Sequence, residues 1–320
     1  MTILVAPLNW GLGHASRCVP LVHRFLSEGH EVILGGDGAS LTLLRRHFPT
    51  LRYVYLAPLQ LRYSKSNRQV WAMLKALPTM VSWACKDHAM LRAVLREEHI
   101  GRVVSDNRFG LYSRDTECIY MTHQLHIMLP DGWKWLEPIA ERLHAWVYGH
   151  FNQVWVPDYE DIEQSLAGEL SHPAKMANGK CSNGKWVYIG PLSRFSSLTI
   201  HNTSTSSYDV VAVLSGLEPQ RTLLETEIKQ RYTGREVRVL IVQGLMNRPN
   251  TRFKRGNITI VPYMGDEQLA NALCSAKHII ARSGYSTVMD LAALGVSKIE
   301  LIPTPGQPEQ EYLAVLHSKK

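Results

Sequence analysis

The sequence predicts an α/β protein built from two doubly wound domains with parallel sheets. Three observations carry that prediction. Short apolar runs alternate with stretches of helical period along most of the chain, the pattern of a parallel sheet covered on both faces. Glycine-bearing loops follow several of the apolar runs, as in "NWGLGHASR" and "ARSGYST". A Ser/Thr-rich stretch with no sustained apolar period, "SRFSSLTIHNTSTSSY" at 193–208, interrupts the alternation and reads as a linker. The chain therefore divides into a first domain over 1–192 and a second over 209–320.

Taken in order, the first domain opens with a strand at "TILVAPL", a glycine-containing loop and a helix over about 15–27. "EVILGG" follows as a strand, then a helix near "SLTLLRRHF" and a strand at "LRYVYL". A long helical region runs over roughly 67–98, with Pro78 expected to kink or break it, since proline lacks the N–H and crowds the preceding turn. Strands at "RVVSDN" and "CIYMTH", a helix over about 136–149, and strands at "QVWVPD" and "WVYIGPL" complete the half, with a polar excursion at "MANGKCSNGK" between the last two. Beyond the linker, "DVVAVLSG", "VRVLIVQG", "NITIVPY", "HII" and "IELIP" are strands, with helices over about 219–231, 266–274 and 286–294.

Composition narrows the function classes. At 320 residues, 45% hydrophobic and 20% charged, the chain can bury substantial cores and suits two domains. No apolar run is long enough to span a bilayer, and "MTILVAPLNWG" carries neither a basic leader nor a cleavage site, which predicts a cytoplasmic protein. The five cysteines are scattered without a CxxC pair, so neither a disulfide framework nor a zinc site is expected. The net charge of +7 is concentrated between Arg45 and Arg102, where eleven Lys/Arg face three acids. Such asymmetry suits an anionic partner or a solvated basic face, and no nucleic-acid-binding module accompanies it. With Tyr63, Trp71, Met73, Leu74, Leu77 and Trp83 beside Arg62, Lys65, Arg68 and Lys75, an anionic membrane surface is a candidate partner, and packing against the domain's own sheet is the rival reading.

In doubly wound sheets ligands gather at the carboxyl ends of strands, so the loops there carry the functional reading. In the first, Gly11 and Gly13 allow close backbone approach, and His14 opens a helix, where it could serve as base or donor to a reacting hydroxyl. A dinucleotide fingerprint would want glycine where Ser16 stands, and a tight turn with an incidental histidine is the structural alternative. "LSGLEPQRT" places Ser215 and Gly216 at a strand end, with Arg221 as a source of charge, but lacks the P-loop pattern. "RSGYST" places Ser283 and Gly284 at another, and Ser286 and Thr287 open a helix toward an anion with Asp290 about one turn further in. Phosphate belongs at that helix tip and ribose beside Asp290. Asp106 and His123 end strands of the first domain and compete with His14 for the role of base; structural hydrogen bonding is the rival for each. His126, Trp133 and Trp135 read as packing or acceptor-pocket walls.

From "ITIVPYMGDEQLANALCSAKHIIARSGYSTVMDLAALG" and "IPTPGQPEQEYLA" onward, the second half resembles the donor domain of GT-B glycosyltransferases, particularly the N-acetylglucosaminyltransferase superfamily acting on the lipid-linked peptidoglycan precursor. "NWGLGHASR", "SDNRFG", "THQL" and "SGLEPQR" are similar to a group of bacterial glycosyltransferase-like proteins of that superfamily. The resemblance implies that Tyr263 lies in the base-contacting segment, that the turn at Ser283, Gly284, Ser286 and Thr287 faces the diphosphate, and that Asp290 replaces a ribose-binding glutamate. It implies sugar contacts at Gln310 and at Glu311, where the family has a second glutamine, and an acceptor-side surface at Gly11, Gly13, Arg17 and His123. The family's terminal helices, which cross back onto the first domain, have no expected counterpart, since the chain stops at "LAVLHSKK".

Inverting glycosyl transfer from a nucleotide sugar, UDP-sugars foremost, to a lipid-linked or cell-envelope acceptor is thus the expected function. The nucleotide sugar is a substrate, no separate cofactor is implied, and no DxD-like pair suggests a metal. A nucleotide-sugar 2-epimerase and a non-catalytic nucleotide-sugar-binding subunit are the alternatives.

Overall fold

The computed structural model describes residues 1–59, 69–173, 185–198, 208–216, 218–246 and 248–318, with backbone only over 69–74. Most of the expected linker, most of the polar excursion before "WVYIGPL", and Arg62, Tyr63, Lys65, Arg68 and the side chains of Trp71, Met73 and Leu74 lie outside the described residues.

The first half forms β1 (Thr2–Pro7), α1 (Gly13–Ser27), β2 (Glu31–Gly36), α2 (Gly38–His47), β3 (Tyr53–Tyr55), α3 (Gln69–Glu97), β4 (Ile100–Asp106), β5 (Glu117–Met121), α4 (Glu137–Tyr148), β6 (Gln153–Val156) and β7 (Trp186–Tyr188). Its seven strands are all parallel, in the order β3-β2-β1-β4-β5-β6-β7. Ile3, Leu4, Val5 and Ala6 of β1 are all fully buried, which is why the strand is a continuous apolar run and not an alternating one. One face packs Ile3 and Val5 against Val22 and Phe25 of α1; the other packs Leu4 and Ala6 against Leu91 of α3 and Phe151.

The second half adds β8 (Val210–Val213), α5 (Gln220–Tyr232), β9 (Val239–Val242), β10 (Phe253–Arg255), β11 (Ile258–Val261), α6 (Asp266–Ser275), β12 (His278–Arg282), α7 (Tyr285–Leu294), β13 (Ile299–Ile302) and α8 (Pro308–Ser318). The order is β10-β11-β9-β8-β12-β13, parallel except for β10. The architecture is thus the expected α/β one, two Rossmann-like doubly wound sheets facing across a cleft.

Three elements depart from the sequence expectation. α3 continues across Pro78 without a break; Leu77, Pro78 and Thr79 are exposed, so water can satisfy the backbone bond that proline forfeits. β10 is a short, wholly exposed edge strand turned back at Gly256, φ 58°, and its "FKR" carries no alternation to betray it. α8 forms over the segment read as sugar-contacting, and it reaches the first half, where no terminal helix was expected to cross back. Leu313, fully buried, packs with Ala167 and Leu170 of the first half and with Tyr285 and Met289 of α7. The Glu169 amide donates to the Tyr312 hydroxyl at 2.9 Å, and the His317 ring donates to the Leu166 carbonyl at 2.8 Å.

Several basic residues between Arg45 and Arg102 have partners within the chain. Arg52 pairs with Glu31 and Glu98, Arg102 with Glu117, and Arg45 lies over the Tyr53 ring. Trp83 is 3% exposed and donates to the Ala57 carbonyl, so it packs inward, as the rival to membrane contact holds.

Candidate active site

In each sheet the chain reverses its winding beside the first strand, at β1/β4 in one and β8/β12 in the other. A crevice opens at such a switch point, and here the two crevices face each other. A single cavity of about 920 Å³ runs between them, lined by Gly11, Gly13, His14, Arg17 and His123 on one side and by Ser215, Gly216, Tyr263, Gly284, Ser286, Thr287, Asp290 and Gln310 on the other. The loops approach so closely that a Cβ on Gly13 would sit 2.9 Å from the Ser286 hydroxyl. Glycine there lets Ser286 donate to the Gly13 carbonyl at 2.9 Å.

His14 lies in the first turn of α1, and its Nδ1 is 2.9 Å from Oδ1 of Asp106 at the end of β4. Asp106 is fully buried behind it. Arg17, one turn further along α1, grips both Asp106 oxygens, with Nε to Oδ2 at 2.7 Å and a second, short bond to Oδ1. Burial alone would raise the Asp106 carboxyl, but Arg17 and then His14 outweigh it and hold the group far below the usual carboxylate range. Arg17 also comes within 2.9 Å of the His14 Nδ1. The His14 Nδ1 can either donate to the ionised Asp106 or accept from Arg17; the tautomer that donates to Asp106 leaves the Nε2 lone pair of His14 free.

His123 extends the network across the cleft. Arg17 donates to its Nδ1 at 3.2 Å; a guanidinium has no acceptor, so the proton is on Nε2, which donates to Glu309 at 2.9 Å. Glu309 comes from the first turn of α8 and also accepts from Gln124. The His123 ring stacks on Tyr285 of α7, centroids 4.2 Å apart, while the Tyr285 hydroxyl donates to the Pro157 carbonyl. Burial lowers the His123 pKa and only part of this is restored by Glu309, which favours the neutral ring.

On the opposite wall α7 begins at Tyr285 with no acid in its first turn; the Thr287 and Val288 amides donate to the Gly284 carbonyl, and those of Tyr285 and Ser286 offer an anion site at the cleft. Asp290 faces the cleft with Oδ1 accepting from Ser193 at 2.6 Å and Oδ2 3.4 Å from Arg194, which also pairs with Asp266. Burial raises its carboxyl, partly countered by Arg194. Tyr263 lines the cleft with the Arg46 guanidinium 4.2 Å from its ring centroid.

Four of the expected residues stand back from the cavity wall. Asp106 sits behind His14. The Ser283 hydroxyl donates to the Gln310 carbonyl and so steadies α8. Glu311 accepts from the Gly306 amide, and Arg221 is held by Glu218 and Glu225 while its neighbour Gln220 lines the cleft. Gln310 lines it with its amide fixed by the Thr304 amide and by Gln307. His126 is bonded to Glu141, and Trp135 is 70% exposed; neither is among the described lining residues. Among the described residues no group of three or more His, Cys, Asp or Glu is placed to hold a metal ion, and no helix is long and apolar enough to cross a membrane.

Sequence reasoning missed Glu309 and the two linker residues Ser193 and Arg194. The only signal for Glu309 was an acid directly after Pro308, the pattern of a helix start. Nothing local marks Ser193 or Arg194, whose partners are distant in sequence.

No family model matches the chain. In sequence it is similar to a protein named uncharacterized glycosyltransferase from Methanosarcina acetivorans, 21% identical over 97% of this chain and 82% of the relative, and to one of the same name from Methanosarcina mazei, 20% identical over the same shares. Both relatives are archaeal, which corrects the bacterial kinship expected from the motifs. In structure it is similar to the spinosyn rhamnosyltransferase SpnG complexed with thymidine diphosphate, TM-score 0.60 at 13% identity, covering 99% of this chain and 85% of that one. It is also similar to Phytolacca americana UGT2 complexed with UDP-2-fluoro-glucose and pterostilbene, TM-score 0.57 at 14% identity over 99% and 83%. Likeness at such identities speaks to the fold, and the fold is the GT-B arrangement of two Rossmann-like domains.

Proposed function

We propose that the chain is a glycosyltransferase that moves a sugar from a nucleoside diphosphate sugar, UDP-sugars foremost, to an acceptor hydroxyl held against the first domain. One observation carries the reading: the Asp106-backed His14 stands directly across the cleft from the amide-bearing start of α7. The names of the archaeal relatives and the nucleotides bound in the structural neighbours support it.

In this reading the His14 Nε2 takes the acceptor proton as the acceptor oxygen bonds to the anomeric carbon, and the nucleoside diphosphate leaves with the electrons of the broken C–O bond. The α7 amides with Ser286 and Thr287 receive its charge. Asp290 takes the ribose hydroxyls, having lone pairs beyond those used by Ser193 and Arg194. Tyr263 meets the base and Gln310 the sugar. Attack from the face opposite the leaving group inverts the anomeric centre, and the amides replace a metal as the charge acceptor. The resemblance brings with it a lipid-linked or cell-envelope acceptor, reached from the cytoplasmic face of a membrane.

A thermal-shift screen of nucleoside diphosphate sugars, followed by incubation of the stabilising donor in sugar-labelled form, tests the proposal. Release of free nucleoside diphosphate with transfer or hydrolysis of the sugar is expected; an epimerised donor, or binding with no turnover, contradicts it.

A further inference from the structure

We infer that the acceptor is an uncharged, largely apolar alcohol whose body lies in a groove between α3 and α4 while its hydroxyl reaches His14. Its role as acceptor rests on the glycosyltransferase reading; the groove itself does not. The cavity that holds His14 continues between two helices that present apolar stripes to it: Leu77 and Val81 on α3, Leu143 and Trp146 on α4. Each pair has helical spacing on one face. No residue of α4 is buried, and Leu143 and Trp146 are 58% and 68% exposed, Leu77 and Val81 45% and 63%. An amphipathic helix of a folded domain ordinarily turns such a stripe onto its core; here two of them face a shared space that no described side chain fills. Exposed apolar surface continuous with a ligand cavity marks a binding site.

Charge fixes the class of ligand. The arginines among the described lining residues are both neutralised within the protein, Arg17 by Asp106 and Arg194 by Asp266 and Asp290. No lysine is among those residues, and Glu309 adds a carboxylate beside His123. The histidine of α4 that lines the groove, His144, is neutral near pH 7, because burial pushes its pKa down to about 4. A phosphate or carboxylate drawn into this groove would lose its water without meeting an unpaired arginine or lysine among the described lining residues. An apolar body with one hydroxyl loses nothing of that kind, and the stripes shed their hydration around it.

The test uses the full chain without donor, 1-decanol and decyl phosphate as probes, and tryptophan fluorescence as readout. Saturable decanol binding at least tenfold tighter than that of decyl phosphate is expected. Val81→Asp and Leu143→Asp, at positions exposed enough to leave folding intact, are each expected to weaken decanol binding at least tenfold, with circular dichroism confirming the fold. Decyl phosphate binding as tight as decanol overturns the inference. So does decanol binding untouched by both variants, or its absence in a chain that sediments with neutral vesicles or stays in solution. Decanol binding by a chain that turns over no nucleotide sugar upholds the groove and overturns the glycosyltransferase reading, so the two failures are separable.

Discussion

At the scale of single residues, Asp106 is the hinge of the candidate site: it orients His14, neutralises Arg17, and is fully buried. Asp106→Asn should therefore cost stability as well as turnover, on the order of 3–5 kcal/mol, because a buried guanidinium loses its countercharge. Chemical denaturation checks this. The folded pKa of Asp106 is depressed, so its contribution is present above the unfolded value near 4 and is lost as pH falls through the folded one; the variant should be the less acid-sensitive of the two. Asp290→Ala should weaken nucleoside diphosphate binding by about 1.5–3 kcal/mol, since a charge-assisted bond pair is lost; unchanged affinity by calorimetry on the folded variant would remove Asp290 from the ribose site. His14, Asp106 and Asp290 were candidates in the sequence because His14 opens a helix, Asp106 ends a strand and Asp290 lies about one turn into a helix that follows a strand end. That His14 and Asp106 form one unit was not legible, because they are 92 residues apart and only the neighbouring of β1 and β4 joins them.

At the scale of elements, α8 and α4 show what local pattern conceals. α8 was read only as the sugar-contacting segment "PGQPEQEYLA", yet Leu313 gives it an anchor in both halves. Leu313→Ala should cost about 2–5 kcal/mol through the cavity it leaves, read as a lowered thermal midpoint; a change within error would mean that α8 is not anchored there. In α4, burial lowers the folded pKa of His144 to about 4, so the unfolded chain binds the extra proton between about pH 6.5 and 4. Stability should be full above that window and decline as pH falls through it. His144→Gln should flatten the decline, measured as urea midpoints at pH 7 and 4.5. α4 was predicted from its period, but the period could not say that its apolar stripe would face a cleft instead of a core.

At the scale of the whole molecule, the parallel strands of both sheets were legible and the exposed edge strand β10 was not, because strands buried on both faces must be continuous apolar runs and the helices between them must be amphipathic. What the runs could not supply is how the halves meet. Tyr285 against His123, Ser286 on Gly13, Glu309 on His123 and Ser193 on Asp290 all join positions far apart in sequence. The account places the base in one half and the leaving-group site in the other, so the two functions should separate by mutation. The most direct measurement is donor affinity and single-turnover release of nucleoside diphosphate for the wild-type chain and His14→Ala, using the donor that the thermal screen selects. The account predicts donor affinity within about twofold of wild type and release slowed about 100- to 10,000-fold; full turnover in His14→Ala, or donor binding lost in parallel with it, would contradict the account.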